Sequence, residues 1–340
     1  MTFTPLEALR RIAYLLERGR EPTYRVRAFR NAATAVEELG DEEVARLAAA
    51  GLLRQVPGIG EVTERVVIEA LAGEVPSYLQ RLEGEHLSPV ADGGAAYRAL
   101  LKGDCHVHSD WSDGGSPIEE MAAAAAELGH EYMVLTDHSG RLTVAKGLDR
   151  DRLLAQLDVV ARVNERVAPF RILTGMEVDI LEDGTLDMGT EVLSRLDVVV
   201  ASVHSKLRME GRLMTQRMVT AITDPDLDIL GHCTGRIVVG RGRPESEFDA
   251  ELVFAAAARF DKAIEINSRP ERLDPPMRLL RLAIDSGCRV SIDTDAHAPG
   301  QLEWLDHGCA RAAEAEVPPD RIVNTMSAGD LLAWARSHED

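Results

Sequence analysis

Six histidines and three carboxylates of this 340-residue chain recur at one kind of place, the end of a short β-rich run. His106 and His108 close the run centred on Cys105-His106-Val107, and Asp113 lies in the loop behind it. His138 ends a run over Tyr132–Leu135, Glu177 one over Ile172–Val178, His204 one over Val198–Val203 and His232 one over Leu227–Leu230. Asp295 and His297 follow a run over Arg289–Ile292. Neutral imidazole and carboxylate are suitable ligands for Zn²⁺, Mn²⁺ or Fe²⁺. Nine such groups exceed what one ion can use, so two or three divalent ions are expected. The other histidines (His86, His130, His307 and His338) sit at no such position and are read as structural or surface groups.

Positioning these groups requires a particular architecture. Together with a run over Ala263–Ile266, the β-rich runs number seven, and helical stretches such as Pro117–Leu128, Arg152–Arg166 and Ala250–Phe260 fit between them. Alternating β and α segments indicate a parallel sheet. Seven or eight such units suggest a closed or nearly closed barrel, with an open doubly wound sheet as the alternative. In a parallel barrel every strand C-terminus opens on one face, so ligands almost 200 positions apart can converge. The barrel is favoured.

The first 86 residues read differently. Leu6, Leu9, Ile12, Leu15 and Leu16 follow helical spacing, as do Phe29, Ala32, Ala33 and Val36. A further apolar stripe over Glu42–Leu53 leads to Val56-Pro57-Gly58-Ile59-Gly60, then to a helix carrying Val62, Val66, Val67 and Leu71. Residues 87–100, with Pro89, Gly93 and Gly94, read as a linker. The expected organisation is a small all-α domain over 1–86, the linker, and an α/β domain over 101–340.

Composition sets outer limits. Apolar residues are 45% and charged residues 28%, ordinary for a globular protein. No apolar run approaches the roughly 20 residues that cross a bilayer, and the N-terminus lacks a signal-peptide pattern, so a cytoplasmic protein is expected. Cys105, Cys233, Cys288 and Cys309 contain no C-x-x-C pair and are read as thiols outside the site. A formal charge of −19 argues against general coating of nucleic acid, which depends on neutralising phosphates. Nothing in the sequence sets the oligomeric state.

At this point the residues resemble a family. Asp104-Cys105-His106-Val107-His108-Ser109, Trp111-Ser112-Asp113-Gly114, Thr136-Asp137-His138-Ser139, Gly175-Met176-Glu177, Ser202-Val203-His204-Ser205, Gly231-His232 and Asp293-Thr294-Asp295-Ala296-His297 are similar to motifs of the PHP (polymerase and histidinol phosphatase) family. The resemblance covers residue 100 to the C-terminus. It implies a distorted (β/α)₇ TIM-like barrel with a trinuclear metal centre. It also implies that His106, His108, Glu177 and Asp295 hold one ion, that Glu177 bridges to a second held by His204 and His232, and that Asp113, His138 and His297 hold a third. None of the nine positions is substituted. Leu230-Gly231-His232-Cys233-Thr234-Gly235-Arg236, Glu265-Ile266-Asn267 and the helical first section resemble bacterial family X DNA polymerases that carry a C-terminal PHP domain. There the helices contact DNA and the PHP domain removes nucleotides from 3′ ends. Between Glu85 and Leu101, however, there is no room for a polymerase palm, so nucleotide addition is not expected.

The implied reaction is hydrolysis of a phosphate ester. Coordination lowers the pKa of bound water from about 15.7 toward 7, and Glu177 and His204 would stand at its centre. Arg236 and Lys206 follow ligand-bearing strands and are expected to touch the substrate phosphate. The Pro57–Gly60 turn resembles a helix-hairpin-helix, in which glycines expose amides to a phosphate, so Gly58 and Gly60, with Arg25, Arg27 and Arg30, are expected DNA contacts. The favoured substrate is a DNA 3′ end; the alternative is a small monoester such as histidinol phosphate or a nucleotide. Amidohydrolases share H-x-H on a first strand but often carry a lysine carbamate, and Val198–His204 has no lysine. A non-catalytic DNA-end-binding module would not need the complete ligand set.

Lys102, Lys146, Lys206 and Lys262 are the only lysines, so the first 86 residues have none. Schiff-base lyase chemistry, found in some polymerase domains of this kind, needs a side-chain amine. Borohydride trapping on abasic DNA is therefore expected to leave no adduct within residues 1–85, and an adduct mapped there by peptide mass would contradict this.

Overall fold

The computed structural model describes residues 3–86 and 91–338. Its contacts cluster into two compact units, Met1–Pro89 and Val90–Asp340. The first consists of helices α1 (Pro5–Arg18), α2 (Thr23–Leu39), α3 (Asp41–Ala50), α4 (Glu61–Leu71) and α5 (Ser77–His86). Thr4 and Glu7 start α1 with reciprocal side-chain-to-amide bonds of 3.2 and 2.8 Å, and Pro5 occupies the first turn, where no amide donor is missed. Leu9, Ile12 and Leu16 of α1 share one apolar core with Phe29 and Val36 of α2, Val66 and Val67 of α4, and Leu79 and Leu82 of α5. The apolar spacing read from sequence thus marks the buried faces. The turn before α4 reverses at Gly58, with φ +93° and a virtual Cβ only 3.1 Å from the Asn31 carbonyl oxygen.

Of the stretch read as a linker, residues 87–90 lie outside the described residues. Its later part is folded: α6 (Ala95–Arg98) belongs to the second unit, where the Tyr97 hydroxyl donates to the Val317 carbonyl at 2.9 Å.

The second unit is a seven-stranded parallel sheet in sequential order, β1 (Gly103–Val107), β2 (Tyr132–Leu135), β3 (Arg171–Asp179), β4 (Val198–Ser202), β5 (Ile229–Leu230), β6 (Ala263–Asn267) and β7 (Arg289–Asp293). Helices α7 (Ile118–Glu127), α8 (Arg150–Val167), α9 (Thr190–Leu193), α10 (Gly211–Ile222), α11 (Ala250–Arg259) and α12 (Met277–Asp285) fill the crossovers; α13 (Leu305–Glu314) and α14 (Ala328–Arg336) follow. Strands covered on both faces read as continuous apolar runs, as Val198-Val199-Val200 does.

The pleat explains where the ligands go. Cys105, Val134, Leu173, Val200, Ile229 and Ala263 form one cluster with Leu331 and Trp334 of α14. Successive side chains on a strand alternate faces. Glu177 is four residues beyond Leu173 and Glu265 two beyond Ala263, so both share the face of this cluster, one step further along. Toward the strand C-termini, that face therefore changes from apolar to metal-binding residue types.

Between β1 and β7 the seam rests on one parallel bridge, Val107 with Ala296, and on side chains. Buried Asn324 spans it: its Nδ2 donates to Gly103 O, Ile292 O and Asp293 Oδ1 at 3.2, 3.0 and 2.9 Å, and its Oδ1 accepts from Ile292 N at 2.6 Å. Asn324→Ala would leave these buried groups unpaired and should destabilise the barrel by about 3 kcal/mol. All three tryptophans, Trp111, Trp304 and Trp334, lie in this unit, so fluorescence-detected denaturation would read the loss.

Candidate metal centre

Each β-strand delivers its chemistry at its C-terminal end, and the nine residues singled out from sequence meet there. Glu177, at the end of β3, is the hub. Its Oε2 lies 3.3 Å from His106 Nε2, 3.6 Å from His108 Nε2 and 2.8 Å from His138 Nδ1. Its Oε1 lies 3.2 Å from His204 Nε2 and 2.9 Å from His232 Nε2. Asp295 Oδ1 reaches His108 Nε2 at 3.5 Å, and Asp113 Oδ1 stands 3.5 Å from His138 Nε2 and 3.3 Å from His297 Nε2.

These approaches are not ordinary hydrogen bonds. Both Glu177 oxygens, both ring nitrogens of His108 and of His204, and His106 Nε2 and His138 Nδ1 are buried without a hydrogen-bond partner. Burying so many polar atoms unsatisfied costs about 1–3 kcal/mol each. Divalent cations would remove much of that cost, because each carboxylate oxygen and one nitrogen of each neutral imidazole offers a lone pair. Three sets of donor atoms lie within 4.8 Å of one another: His108, Asp113, His138 and His297; His106, His108 and Asp295; and His138, Glu177 and His204. The residues present fit a multinuclear centre. The sets overlap at His108 and His138, and His232 enters through Glu177 rather than through a set of its own.

The electrostatics divide these groups, favouring the neutral form of some imidazoles and the protonated form of others. Burial alone would raise the Glu177 carboxyl, but His204, His106 and His138 hold it well below the usual range. Burial, reinforced by His297 and His138, pushes His108 well below the ordinary imidazole value and keeps it neutral, as a ligand must be. His232 falls to about 4 through burial and the Arg272 charge. Burial also disfavours the charged form of His204, but Glu177 and Asp179 outweigh it and hold this imidazole at about 9.

Several functional residues were not legible as such. Glu265, on β6, accepts from His106 Nδ1 at 2.6 Å and from the His232 amide. Asn267 donates to Glu265 at 3.2 Å and to Asp295 at 3.1 Å. Asp179 stands 3.4 Å from His204 Nδ1 and accepts from the His204 amide at 3.1 Å. A carboxylate on the far nitrogen fixes a ligand histidine's tautomer and orientation. Glu265-Ile266-Asn267 figured in the resemblance without a role, and the remaining signal is the period of two along β3 and β6, which puts Asp179 beside Glu177 and Asn267 beside Glu265. Asp137, next to His138, instead holds the β1 loop, accepting from Ser109 and Ser112 hydroxyls and from Gln156.

The centre opens into a cavity of about 420 Å³ lined by Asp113, His138, Glu177, His204, His232, Asp295 and His297, and also by Arg269 and Arg272. Arg272 Nε lies 3.2 Å from Asp295 Oδ2, while its Nη1 is buried without a hydrogen-bond partner. Arg269 Nη1 reaches His297 Nδ1 at 3.0 Å and the Asp295 carbonyl at 2.9 Å. The two cations expected from sequence, Arg236 and Lys206, do not line this cavity. Arg236 turns away to donate to the Arg272 carbonyl at 3.0 Å and to the Leu273 carbonyl, and Lys206 is exposed.

In the helical unit a similar correction applies. Arg25 is committed to Glu21 and to the Tyr78 hydroxyl, Arg30 to Glu17 at 2.8 Å, and the Gly60 amide to the Thr63 hydroxyl at 2.9 Å. Arg27 is exposed, and Gly58 forms the reversal already described. Away from the centre, His130 meets Arg98 at 2.8 Å and His338 meets Asp228 at 2.7 Å; the side chain of His86 is outside the described residues.

Comparison with known proteins adds three findings. Residues 104–269 match the family model described as PHP domain, and residues 4–75 the one described as helix-hairpin-helix domain. The chain is 38% identical over 239 residues to the DNA polymerase/3′-5′ exonuclease PolX of Bacillus subtilis, which covers 70% of this chain but only 42% of that protein. It is 31% identical over 230 residues to a probable phosphatase of Aliivibrio fischeri, covering 65% of this chain and 87% of the relative. Among solved structures, a histidinol phosphate phosphatase of Lactococcus lactis complexed with zinc, L-histidinol and phosphate aligns at TM-score 0.44 and 18% identity, over 64% of this chain and 94% of that one.

If Glu265 orients a metal-binding imidazole, Glu265→Gln should weaken divalent-ion affinity by about 10–100-fold. Calorimetric titration of metal-stripped protein reads this directly, and wild-type affinity in the variant would contradict it.

Proposed function

The chain belongs to the PHP family, and on that premise we propose that it is a 3′-end-processing nuclease, a metal-dependent phosphoesterase acting on DNA. What supports the finer reading is the pairing in one chain of a helix-hairpin-helix segment over residues 4–75 with a PHP segment over 104–269. A relative whose name includes 3′-5′ exonuclease matches 70% of the chain. The chain spans 42% of that relative's length, so polymerisation is not carried over with the resemblance. The proposed division of labour puts DNA contact in residues 1–86 and hydrolysis in 101–340, joined through 87–100.

In this reading His106, His108, Asp113, His138, Glu177, His204, His232, Asp295 and His297 hold two or three divalent ions. When bound, such ions supply activated water at neutral pH and neutralise phosphoryl oxygens. The protein's own contribution is orientation and charge. Glu177 holds the donor sets together, Glu265 keeps His106 in its ligating tautomer, Asp179 places His204 through its backbone amide, and the buried walls exclude bulk water. Arg269 and Arg272 take the phosphate-contact role first given to Arg236 and Lys206, since a guanidinium fork matches phosphate oxygens. A second reading, hydrolysis of a small phosphate monoester, is favoured by the probable phosphatase of which the chain covers 87%.

Mn²⁺-loaded protein is expected to shorten a 3′-labelled oligonucleotide stepwise. Chelation and His204→Ala should abolish this, and Arg272→Ala should slow it at unchanged metal content. Phosphate release only from a panel of small monoesters would instead establish the second reading.

A further inference from the structure

The loop between β2 and α8 holds an apolar side chain in water at the lip of the metal cavity. Val144 is 90% exposed, more than any other large hydrophobic among the described residues. A single exposed valine is ordinary on a protein surface. This one differs because its backbone is clamped. Leu148 N donates to His138 O at 2.7 Å, Gly147 N to Leu142 O at 3.2 Å, and Arg141 N to Asp187 Oδ2 at 2.7 Å. The Arg152 guanidinium ties down the carbonyls of Lys146 and Gly147 at 2.6 and 3.1 Å and also reaches that of Trp111. At Gly147 a Cβ would stand 1.8 Å from the Ser139 carbonyl oxygen, so only glycine permits the crossing. Beyond Val144 the loop is anchored by buried Ala145 and Leu148.

Clamping fixes what Val144 presents. Val144, Leu142, Ala145 and, from the loop after β5, Ile237 line the same cavity as the metal-type residues, Arg269 and Arg272. A β-branched side chain on a fixed backbone has few rotamers to lose on contact. The cavity thus combines an anion-accepting part with an apolar, preorganised part. Its complement is a molecule with a phosphate at one end and a flat, weakly polar body at the other. A nucleotide has that form; a small polar alcohol phosphate lacks the second half.

We propose that Val144, with Leu142 and Ile237, forms a subsite for the nucleobase of a base-bearing phosphate ester, and that Val144 sets preference for such substrates. This rests on the reading of the cavity as the hydrolytic site.

The test compares substrates that differ only in the base. One pair is an oligonucleotide with a normal 3′-terminal nucleotide and the same strand ending in a tetrahydrofuran abasic residue. The other is a nucleoside 5′-monophosphate and ribose 5-phosphate. With the Mn²⁺-loaded full chain, Val144→Ser should lower the base-bearing to base-free ratio of kcat/KM by about fivefold, mainly through KM, whereas Val144→Ile should keep it. Whichever pair the wild type cleaves identifies the source of the base, strand end or free nucleotide. Cleavage with the same ratio in wild type and Val144→Ser overturns the subsite while leaving phosphoesterase function intact. Failure of the wild type to cleave any of the four overturns the subsite and the nuclease reading together.

Discussion

Glu177 sits in the barrel with both carboxylate oxygens buried, five imidazoles within 3.6 Å and no hydrogen bond to either oxygen. Burying a carboxylate costs several kcal/mol even after relaxation unless an opposite charge compensates it. Protonated imidazoles could do so, but they would repel one another: neighbouring ring centroids lie as close as 4.2 Å, between His108 and His297. Divalent ions held by these residues would resolve both problems at once, by compensating the carboxylate and keeping the imidazoles neutral. The barrel's parallel strands, its buried second layer of carboxylates and its polar end all serve this one electrostatic arrangement.

The second layer has its own cost. Asp104 and Asp293 are fully buried near one another, and burial and repulsion by neighbouring carboxylates push both above the usual carboxylate range. Asp104 is compensated by Thr294 and by the His106 amide, and Asp293 by Asn324 and the Cys105 amide. The Thr294–Asp104 and Cys105–Asp293 bonds cross between β1 and the end of β7, where the regular ladder gives way to a single bridge. The seam that bears His106 and His108 on one side and Asp295 and His297 on the other is therefore held by polar side chains. Apolar packing would not fix ligand direction as tightly, because hydrogen bonds are directional and dispersion is not.

Much of this was legible in the sequence. The seven runs became seven strands in sequential order because a parallel strand covered on both faces must be apolar throughout, a signal that short windows preserve. The candidate ligands could be read as a set because all but Asp113 lie at or just past a strand's C-terminal end, and topology alone then brings the ends together. The second-layer carboxylates were not, since Glu265 and Asp179 look like any strand-end acid until a third dimension sets them behind His106 and His204. Arg236 misled for a related reason. It follows the ligand strand β5, but the next loop carries the carbonyls of Arg272 and Leu273 within its reach, and nothing in local sequence reports that. Arg25 and Arg30 are the same case on a helix, where Glu21, Tyr78 and Glu17 absorb their donors.

The charge distribution gives the arrangement a further consequence. The chain as a whole carries −19, while the cavity sets Arg269 and Arg272 beside the carboxylates of Asp113, Glu177, Glu271 and Asp295. Divalent ions bound there would offset those carboxylates and relieve the repulsion of a phosphate at the cavity. Repulsion from the rest of the surface acts on a polyanion over about a Debye length, roughly 8 Å at physiological salt. A duplex lying along the surface would meet it over many phosphates, whereas a strand end needs to bring only one or two phosphates to the cavity. An acidic body with a metal-loaded cavity would thus disfavour binding along a strand more than binding at its terminus. The proposed end-processing would need that discrimination, and charge placement would supply it without any sequence-reading contact.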